Sequence, residues 1–161
     1  MKVCYIPCRA GSKSIHKKNH LMIQGKPLFQ IAIDQAKSLD AFDKIIVSTN
    51  DDLILSTQQS SEVILLERPE DLSLSESTTD VGIFHALEEL CIDKGALSVL
   101  QCTSPLRKDS TIIEGLKLID KYPQATVISV KQVFDSHPAR IYKLKENGYI
   151  ESYLPSEEKK R

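Results

Sequence analysis

Near its start the chain carries a loop in which no acidic residue interrupts four basic side chains within ten positions: Arg9, Lys13, Lys17 and Lys18. Gly11 and Ser12 in the same loop leave backbone N–H groups that can point at an anion. Because crowded cations repel one another, a bound polyphosphate would stabilise this arrangement. The loop has neither the three glycines of a dinucleotide fingerprint nor the Gly-Lys-Ser/Thr of a P-loop. It predicts a nucleotide site of another kind, with a solvated basic loop as the alternative.

Polar side chains also follow two later apolar runs. Residues 62–66 precede a polar stretch from Arg68 to Thr79, and residues 97–100 precede one from Gln101 to Arg107. The carboxyl ends of parallel strands share one edge of a sheet, so we expect these two clusters and the basic loop to line one cleft. Simpler interpretations are a flexible serine- and threonine-rich loop for the second cluster and a tight proline turn for the third.

Strand and helix patterns alternate along the chain. Short β-branched runs predict strands, and apolar residues at helical spacing predict the helices between them. We expect strands at 3–6, 44–49, 62–66, 97–100 and 125–130, and helices at 28–39, 52 to about 60, 83–91 and from 109 or 110 onward. Asn147-Gly148 predicts a hairpin late in the chain. The pattern indicates an α/β fold of three layers, with a mostly parallel sheet, helices on both faces and a late antiparallel hairpin.

Composition narrows the class of protein. With 161 residues and a net charge of −1, we expect one domain over residues 1–161 and no global attraction to nucleic acid or to an anionic membrane. The apolar N-terminal run is too short for a signal peptide, and no run approaches the ~18 residues of a membrane span, which predicts a cytoplasmic protein. No cysteine pair has metal or redox spacing, so we interpret all four as small buried hydrophobes: Cys4, Cys8, Cys91 and Cys102.

Six motifs occur in an order and at spacings shared with a known enzyme family. They are Ile6-Pro-Cys-Arg-Ala-Gly-Ser-Lys-Ser-Ile-His-Lys-Lys-Asn19, Gly25-Lys-Pro-Leu28, Ile46-Val-Ser-Thr49, Arg68-Pro69 with Leu72, His85-Ala-Leu87 and Leu100-Gln-Cys-Thr-Ser-Pro-Leu-Arg107. From residue 2 to about residue 150 the chain resembles the acylneuraminate cytidylyltransferases. These include the CMP-sialic acid synthetases and their legionaminate and pseudaminate relatives. The resemblance implies the Rossmann-like fold of the nucleotide-diphospho-sugar transferases.

The resemblance also implies a reaction that depends on CTP and Mg²⁺, and a homodimer. The anomeric hydroxyl of a nine-carbon acidic sugar, a nonulosonic acid of the sialic type, would attack the α-phosphorus of CTP and release pyrophosphate. Arg9 and Lys18 are expected to be catalytic, because they suit the charge of the leaving pyrophosphate. The expected nucleotide-binding residues are Arg9, Ala10, Gly11, Ser12, Lys18, Asn19, Arg68 and Thr79, and the expected sugar-binding residues are Gln101, Thr103 and Ser104.

Some parts of the family pattern are different in this sequence. His16, Asn50 and Ser75 stand where the family usually has other residues. Family members continue for some tens of residues beyond the point where this chain ends, and that segment supplies metal-binding aspartates. This sequence has no Asp-x-Asp, so we expect a truncated member with unknown metal ligands. Two alternatives remain: a non-catalytic CTP-binding module, and a 3-deoxy-manno-octulosonate cytidylyltransferase, against which the Ser-Lys-x-Ile-x-x-Lys-Asn loop argues.

Overall fold

Four of the apolar runs form one parallel sheet in the computed structural model, which describes residues 1–11, 15–74, 76–132 and 141–153. The chain divides into two units, residues 1–127 and 128–161, so the expected single domain stays a prediction. The elements of the first unit are β1 (Lys2–Pro7), β2 (Met22–Ile23), β3 (Lys26–Pro27), α1 (Leu28–Ser38), β4 (Lys44–Thr49), α2 (Asp52–Leu55), β5 (Val63–Glu67), α3 (Thr79–Glu89), β6 (Ala96–Val99) and α4 (Asp109–Lys121). Short 3-10 helices form at Lys18–His20 and Glu70–Ser73.

The order of strands in the sheet reverses at β1. The order is β5-β4-β1-β6, and each neighbouring pair is parallel. The chain first runs from β1 outward to β4 and β5, and then crosses back to β6 on the other side of β1. In sheets of this kind, ligands bind beyond the carboxyl ends of the strands, next to the point where the order reverses.

A large apolar core covers one face of the sheet. Helix α1 supplies five buried side chains because its apolar residues recur every three or four positions: Leu28, Phe29, Ala32, Ile33 and Ala36. They pack with residues of α4 and of the two central strands: Ile112, Leu116, Cys4, Ile6, Ile45 and Val47. This cluster contains most of the buried apolar side chains among the described residues.

A smaller cluster lies on the opposite face, beneath α3. Ala86 of α3 is buried with Val3 and Tyr5 of β1. Successive side chains of a strand point to opposite faces, which is why Cys4 and Ile6 join the larger cluster instead. Helices therefore cover both faces, and the predicted α/β fold of three layers is confirmed.

The second unit contains the predicted antiparallel hairpin. Strand β7 (Tyr142–Leu144) pairs with β8 (Ile150–Ser152), with Leu144 opposite Ile150. Gly148 has φ +82°, a left-handed conformation that glycine adopts without a steric penalty. The hairpin signal at Asn147-Gly148 is therefore confirmed.

The prediction of a strand at residues 125–130 is wrong. In the part of the chain that the structure describes, residues 126–130 pair with no strand, and Ile128 and Val130 are exposed. An apolar run becomes a strand only where a neighbour completes its backbone hydrogen bonds. The run 133–140 that follows lies outside the described residues.

The helix expected from residue 52 to about residue 60 is shorter than predicted. Asp51 caps it as expected, with Oδ1 accepting a hydrogen bond from the Leu53 N–H at 3.1 Å, but the helix ends at Leu55. The hydroxyls of Ser56 and Thr57 donate to backbone carbonyls three residues earlier. Such local hydrogen bonds compete with continued helix, which accounts for the early end. No helix in the described ranges is both long enough and apolar enough to cross a bilayer.

Candidate functional site

A pocket of about 150 Å³ opens beyond the carboxyl ends of β1, β5 and β6. Its walls come from the loop after β1, the stretch between β5 and α3, and the turn after β6. The lining residues are Pro7, Arg9, Lys18, Asn19, Arg68, Ser77, Thr78, Thr79, Gln101, Cys102 and Thr103. The three polar strand ends singled out in the sequence therefore meet at one place, as the parallel topology requires.

Most of the predicted site residues line this pocket. They are Arg9, Lys18, Asn19, Arg68, Thr79, Gln101 and Thr103. Ala10, Gly11 and Ser104 do not line it, although each lies within two positions of a residue that does. Ser12 lies outside the described residues. The individual roles expected from the family resemblance stay predictions.

The pocket also contains residues that sequence reasoning did not assign to it. Pro7 ends β1, while Ser77 and Thr78 belong to the polar stretch that had two interpretations. For Ser77 and Thr78, the available signal was their place in the polar stretch from Arg68 to Thr79. Cys102 lies inside the motif that runs from Leu100 to Arg107, but its position beside an apolar run indicated only a small buried apolar residue. Its place in the pocket wall depends on how β6 lies beside β1.

The loop after β1 is held in place by the segment that follows β4. The backbone N–H of Ala10 donates to Asn50 Oδ1 at 2.8 Å, and His20 Nε2 lies 2.7 Å from Asp51 Oδ2. Asn19 Nδ2 donates to the carbonyl oxygen of Arg9 at 3.0 Å and so links the two ends of the loop. These contacts follow from strand order, because β4 lies directly beside β1. They position Arg9 and the 3-10 helix that begins at Lys18.

The entry to that 3-10 helix is strained. Lys17 has φ +48°, in the left-handed region where a side chain costs about 1–2 kcal/mol. The next residue, Lys18, lines the pocket. Strain of this kind persists where surrounding contacts impose it, and it is concentrated at functional sites. The strained turn therefore supports a functional role for the loop, beyond that of a solvated basic segment.

Arg68 is the buried cation of the pocket. Arg68 is only 3% exposed. Among the described residues, its Nη2 atom donates one hydrogen bond, to the carbonyl oxygen of Thr78 at 3.5 Å. Its Nε is buried with no hydrogen-bond partner, and no carboxylate of the described residues forms an ion pair with it. A buried charge without a partner is costly, so this environment suits an anionic ligand.

Close packing with α3 makes the burial of Arg68 possible. Gly82 faces the guanidinium: a Cβ added at Gly82 would lie 2.7 Å from Arg68 Cζ and 2.5 Å from the Tyr5 hydroxyl. Real Cβ atoms do not approach other atoms so closely, so only glycine leaves room for this arrangement. Burial also raises the pKa of the Tyr5 phenol, which therefore stays neutral beside Arg68.

The pocket has a positive electrostatic character. Arg9, Lys18 and Arg68 line it, and none of the described residues that line it is acidic. Clefts lined by one sign of charge concentrate ligands of the opposite sign. Mg²⁺ in proteins is held by carboxylates together with ligand phosphates. The described residues provide no acidic pocket side chain and no group of three metal-binding side chains, so by themselves they do not fit an Mg²⁺ site.

The turn after β6 is fixed by Arg107. Its Nη2 donates to the carbonyl oxygen of Gln101 at 2.7 Å, and its Nη1 donates to Gln35 Oε1 at 2.8 Å. Gln35 Nε2 in turn donates to the carbonyl oxygen of Arg107 at 2.7 Å. The turn that presents Gln101 and Thr103 is thus tied to α1. Both residues are exposed, so this side of the pocket is the open one.

Two cysteines from different strand ends meet in the wall of the pocket. The Sγ atoms of Cys8 and Cys102 are 3.1 Å apart, and both residues are buried. Cys4 is also buried, which raises the pKa of its thiol to about 12. Cys91 is exposed, so the interpretation of all four cysteines as buried hydrophobes is wrong for this one. The residue follows α3 with φ +50°, at a turn where the chain leaves the core.

Comparison with known proteins agrees with this geometry. A family model described as Cytidylyltransferase matches residues 3–147. The chain is 36% identical over 123 residues to the N-acylneuraminate cytidylyltransferase of Escherichia coli O18:K1:H7, covering 74% of this chain and 29% of that protein. It is 32% identical over 149 residues to the enzyme of the same name from Streptococcus agalactiae serotype V, covering 91% of this chain and 36% of that protein.

A solved structure supports the fold. A CMP:2-keto-3-deoxy-manno-octonic acid synthetase complexed with CTP superposes with a TM-score of 0.65 at 23% identity, over 76% of this chain and 48% of that one. The chain spans about a third of the length of the two curated relatives described above. The match to the family model covers most of the chain and includes all three strand ends of the pocket. The resemblance found in the ordered motifs is therefore confirmed, and the chain belongs to the cytidylyltransferase family.

Proposed function

We propose that this protein transfers CMP from CTP to the anomeric hydroxyl of a nonulosonic acid and releases pyrophosphate. Family membership supports a nucleotidyl transfer, and the two relatives described above are both N-acylneuraminate cytidylyltransferases. The reaction requires that the attacking oxygen, the α-phosphorus and the leaving pyrophosphate be held in line while negative charge is neutralised. A pocket in which the described lining includes Arg9, Lys18 and Arg68 and no acidic residue suits that requirement.

The observation that carries the proposal is the uncompensated burial of Arg68. Arg68 is 3% exposed and has no carboxylate partner among the described residues, an arrangement that would be costly without an anionic ligand. Arg9 and Lys18 line the same pocket. A nucleoside triphosphate would pair with all three charges at once, which a singly charged ligand would not do.

The arrangement of the pocket suggests a role for each wall. Arg9 and Lys18 lie on the β1 loop, where they would hold the leaving pyrophosphate. Gln101 and Thr103 form the open wall after β6, where an acidic sugar would approach the α-phosphorus. Because β1 and β6 are neighbouring parallel strands, the segments that follow them leave the same edge of the sheet side by side, and both line the pocket. Attack from one side and departure toward the other is the in-line geometry that the reaction needs.

The Mg²⁺ requirement, the homodimer and the cytoplasmic location belong to the proposal. Bound Mg²⁺ would neutralise phosphate charge, but the described residues supply no acidic ligand in the pocket, and we assign no step to it. The same observation favours one second candidate. A pocket with cations but no acidic lining is also compatible with a CTP-binding module that does not catalyse transfer.

A binding and turnover experiment separates these functions. We expect calorimetry to show CTP binding, and Arg68→Gln to weaken it about 10- to 150-fold, since one charge-assisted contact contributes about 1.5–3 kcal/mol. Lys117→Gln is the matched control, because it removes an exposed charge that does not line the pocket. Equal affinity for CTP in the two variants would contradict the nucleotide site.

Pyrophosphate release then tests the transfer itself. CTP and Mg²⁺ are offered with N-acetylneuraminic, legionaminic or pseudaminic acid, and with 3-deoxy-manno-octulosonate as the comparison sugar. Turnover with one of the nine-carbon acids supports the proposed enzyme. CTP binding without pyrophosphate release from any sugar would support the binding module, and turnover confined to 3-deoxy-manno-octulosonate would support that alternative enzyme.

A further inference from the structure

Cys8 and Cys102 lie just beyond the carboxyl ends of two neighbouring strands, β1 and β6. Along the β1–β6 ladder, Lys2 pairs with Ala96 and Tyr5 with Val99, an offset that also relates Cys8 to Cys102. Adjacent strands lie about 4.7–4.9 Å apart, within the range of Cα separations that a disulfide spans. The two Sγ atoms are already 3.1 Å apart, against about 2.05 Å in a disulfide. A bond between them therefore needs an approach of about 1 Å, with no rearrangement of the fold.

The two thiols differ in access and in chemistry. Cys102 lines the pocket, whereas Cys8 is 0% exposed and does not line it. The hydrogen bond shared with Cys8 lowers the pKa of Cys102, and the nearby charges of Arg107 and Lys18 act in the same direction. The same hydrogen bond, together with burial, raises the pKa of Cys8. Because the thiolate is the reactive form, Cys102 is the thiol that an oxidant entering the pocket meets first.

We propose that Cys8 and Cys102 form a redox-sensitive dithiol that hydrogen peroxide converts to a disulfide across the wall of the pocket. The Cys102 thiolate attacks one peroxide oxygen, the O–O bond breaks, and hydroxide leaves with a sulfenic acid on Cys102. The sulfur of Cys8 then attacks the Cys102 sulfur, the S–S bond forms, and the sulfenic oxygen leaves as water with the proton of Cys8. In sum, two thiols lose two electrons and two protons, and peroxide is reduced to two waters. A small dithiol reductant reverses the reaction.

The disulfide would change the pocket because of where its cysteines lie. Cys8 directly precedes Arg9, and Cys102 lies between Gln101 and Thr103. These three neighbours of the cysteines line the pocket. Drawing the two sulfurs together by about 1 Å shifts these neighbours, and displacements of that size weaken a preorganised site about tenfold or more. This effect on nucleotide binding rests on the proposed function, whereas formation of the disulfide does not.

The test begins with the reduced full chain, treated with hydrogen peroxide and then with an alkylating agent under denaturing conditions. The intact mass before alkylation is expected to be lower by about two hydrogens, and peptide mapping without reductant is expected to show Cys8 joined to Cys102. Cys91→Ser is the matched control, since it removes the exposed thiol and is expected to leave the cross-link unchanged. Alkylation of Cys8 and Cys102 to the same extent with and without peroxide would overturn the proposal, as would oxidation found at Cys91 alone.

A second variant tests the order of the two steps. In Cys8→Ser, Cys102 has no resolving thiol, so its sulfenic acid is expected to accumulate and to react with dimedone. Dimedone labelling at Cys102 supports the assignment, and its absence in the folded variant overturns it. Calorimetry of the oxidised and reduced wild-type chain then measures the effect on CTP. An affinity about tenfold or more lower after oxidation is expected, and equal affinities would overturn the effect on the pocket. If the reduced chain binds no CTP, the proposed function fails while the peptide map still decides the disulfide.

Discussion

The two faces of the parallel sheet bury different kinds of side chain. Beneath α1 and α4 lies a continuous apolar cluster that includes Ile33, Ile6 and Val47, each fully buried. Beneath α3 the apolar cluster is small. This second face also contains the buried Tyr5 phenol and, at its pocket end, the guanidinium of Arg68 beside Gly82.

Under the proposed function, the face beneath α1 and α4 mainly stabilises the fold, and the face beneath α3 contributes to the nucleotide site. Apolar burial contributes free energy of folding in proportion to the area removed from water, and the α1 face has most of it. A buried charge without a partner costs free energy of folding, and even a paired one contributes little. Changes on the α1 face should therefore alter the free energy of unfolding, whereas changes at the α3 face and in the loops above it should alter nucleotide affinity.

The largest expected effect is on stability. Ile33→Ala removes a fully buried side chain from the α1 face and is expected to lower the free energy of unfolding by about 2–5 kcal/mol. Urea denaturation measures the change, and calorimetry at a temperature where the variant is folded is expected to show unchanged CTP affinity. A large loss of affinity in the folded variant would break the separation between the two faces.

The next effect is on catalysis. Lys18→Ala removes one cation of the pocket and is expected to lower kcat about 10²–10³-fold, the scale for one preorganised transition-state contact. Lys18 is only partly buried, so thermal unfolding should change little. Lys117→Ala serves as the control for the loss of a lysine. Wild-type turnover in Lys18→Ala would remove Lys18 from the proposed mechanism.

A smaller effect sharpens the comparison at the α3 face. Gly82→Ala places a methyl group 2.7 Å from Arg68 Cζ, so the guanidinium must move, and we expect CTP affinity to fall about tenfold. Gly115→Ala in α4 is the matched control, because its new methyl group would lie 3.9 Å from Val127 Cγ1, an ordinary van der Waals contact. If both variants bind CTP like the wild type, Arg68 does not depend on Gly82 for its position.

The smallest effect concerns the support of the β1 loop. Asp51→Ala removes both the cap of α2 and the partner of His20, and is expected to cost about 1 kcal/mol of unfolding free energy. Asp51→Asn retains the cap and should recover most of that loss. Urea denaturation of the two variants makes the comparison. Equal losses would show that the contact with His20, and not the cap, carries the effect.

The sequence predicted much of the sheet because its signals were local. The run at residues 44–49 became β4 with the expected bounds, since a β-branched run buried on both faces leaves few alternatives. Convergence of Arg9, Arg68 and Gln101 followed from parallel topology alone. The strand expected at residues 125–130 failed because an apolar run does not reveal whether a neighbouring strand will pair with it.

Other features could not be predicted because they depend on contacts between distant segments. The 3.1 Å approach of Cys8 and Cys102 requires the register between β1 and β6, which no local pattern gives. The burial of Arg68 requires Gly82 on a different element, and glycine in a helix has no single structural meaning in a sequence. The loop contacts through Asn50 and Asp51 likewise depend on strand order.

Arg68 has no carboxylate partner in the part of the chain that the structure describes, and under the proposed function this also has a practical consequence for handling the protein. A pocket lined by Arg9, Lys18 and Arg68 is expected to bind small multivalent anions such as sulfate or inorganic phosphate when the natural ligand is absent. Storage in such salts should therefore raise the melting temperature through mass action and, in the same solution, compete with substrate. Buffers with bulky monovalent anions are the appropriate choice for affinity measurements, and sulfate-containing solutions for crystallisation.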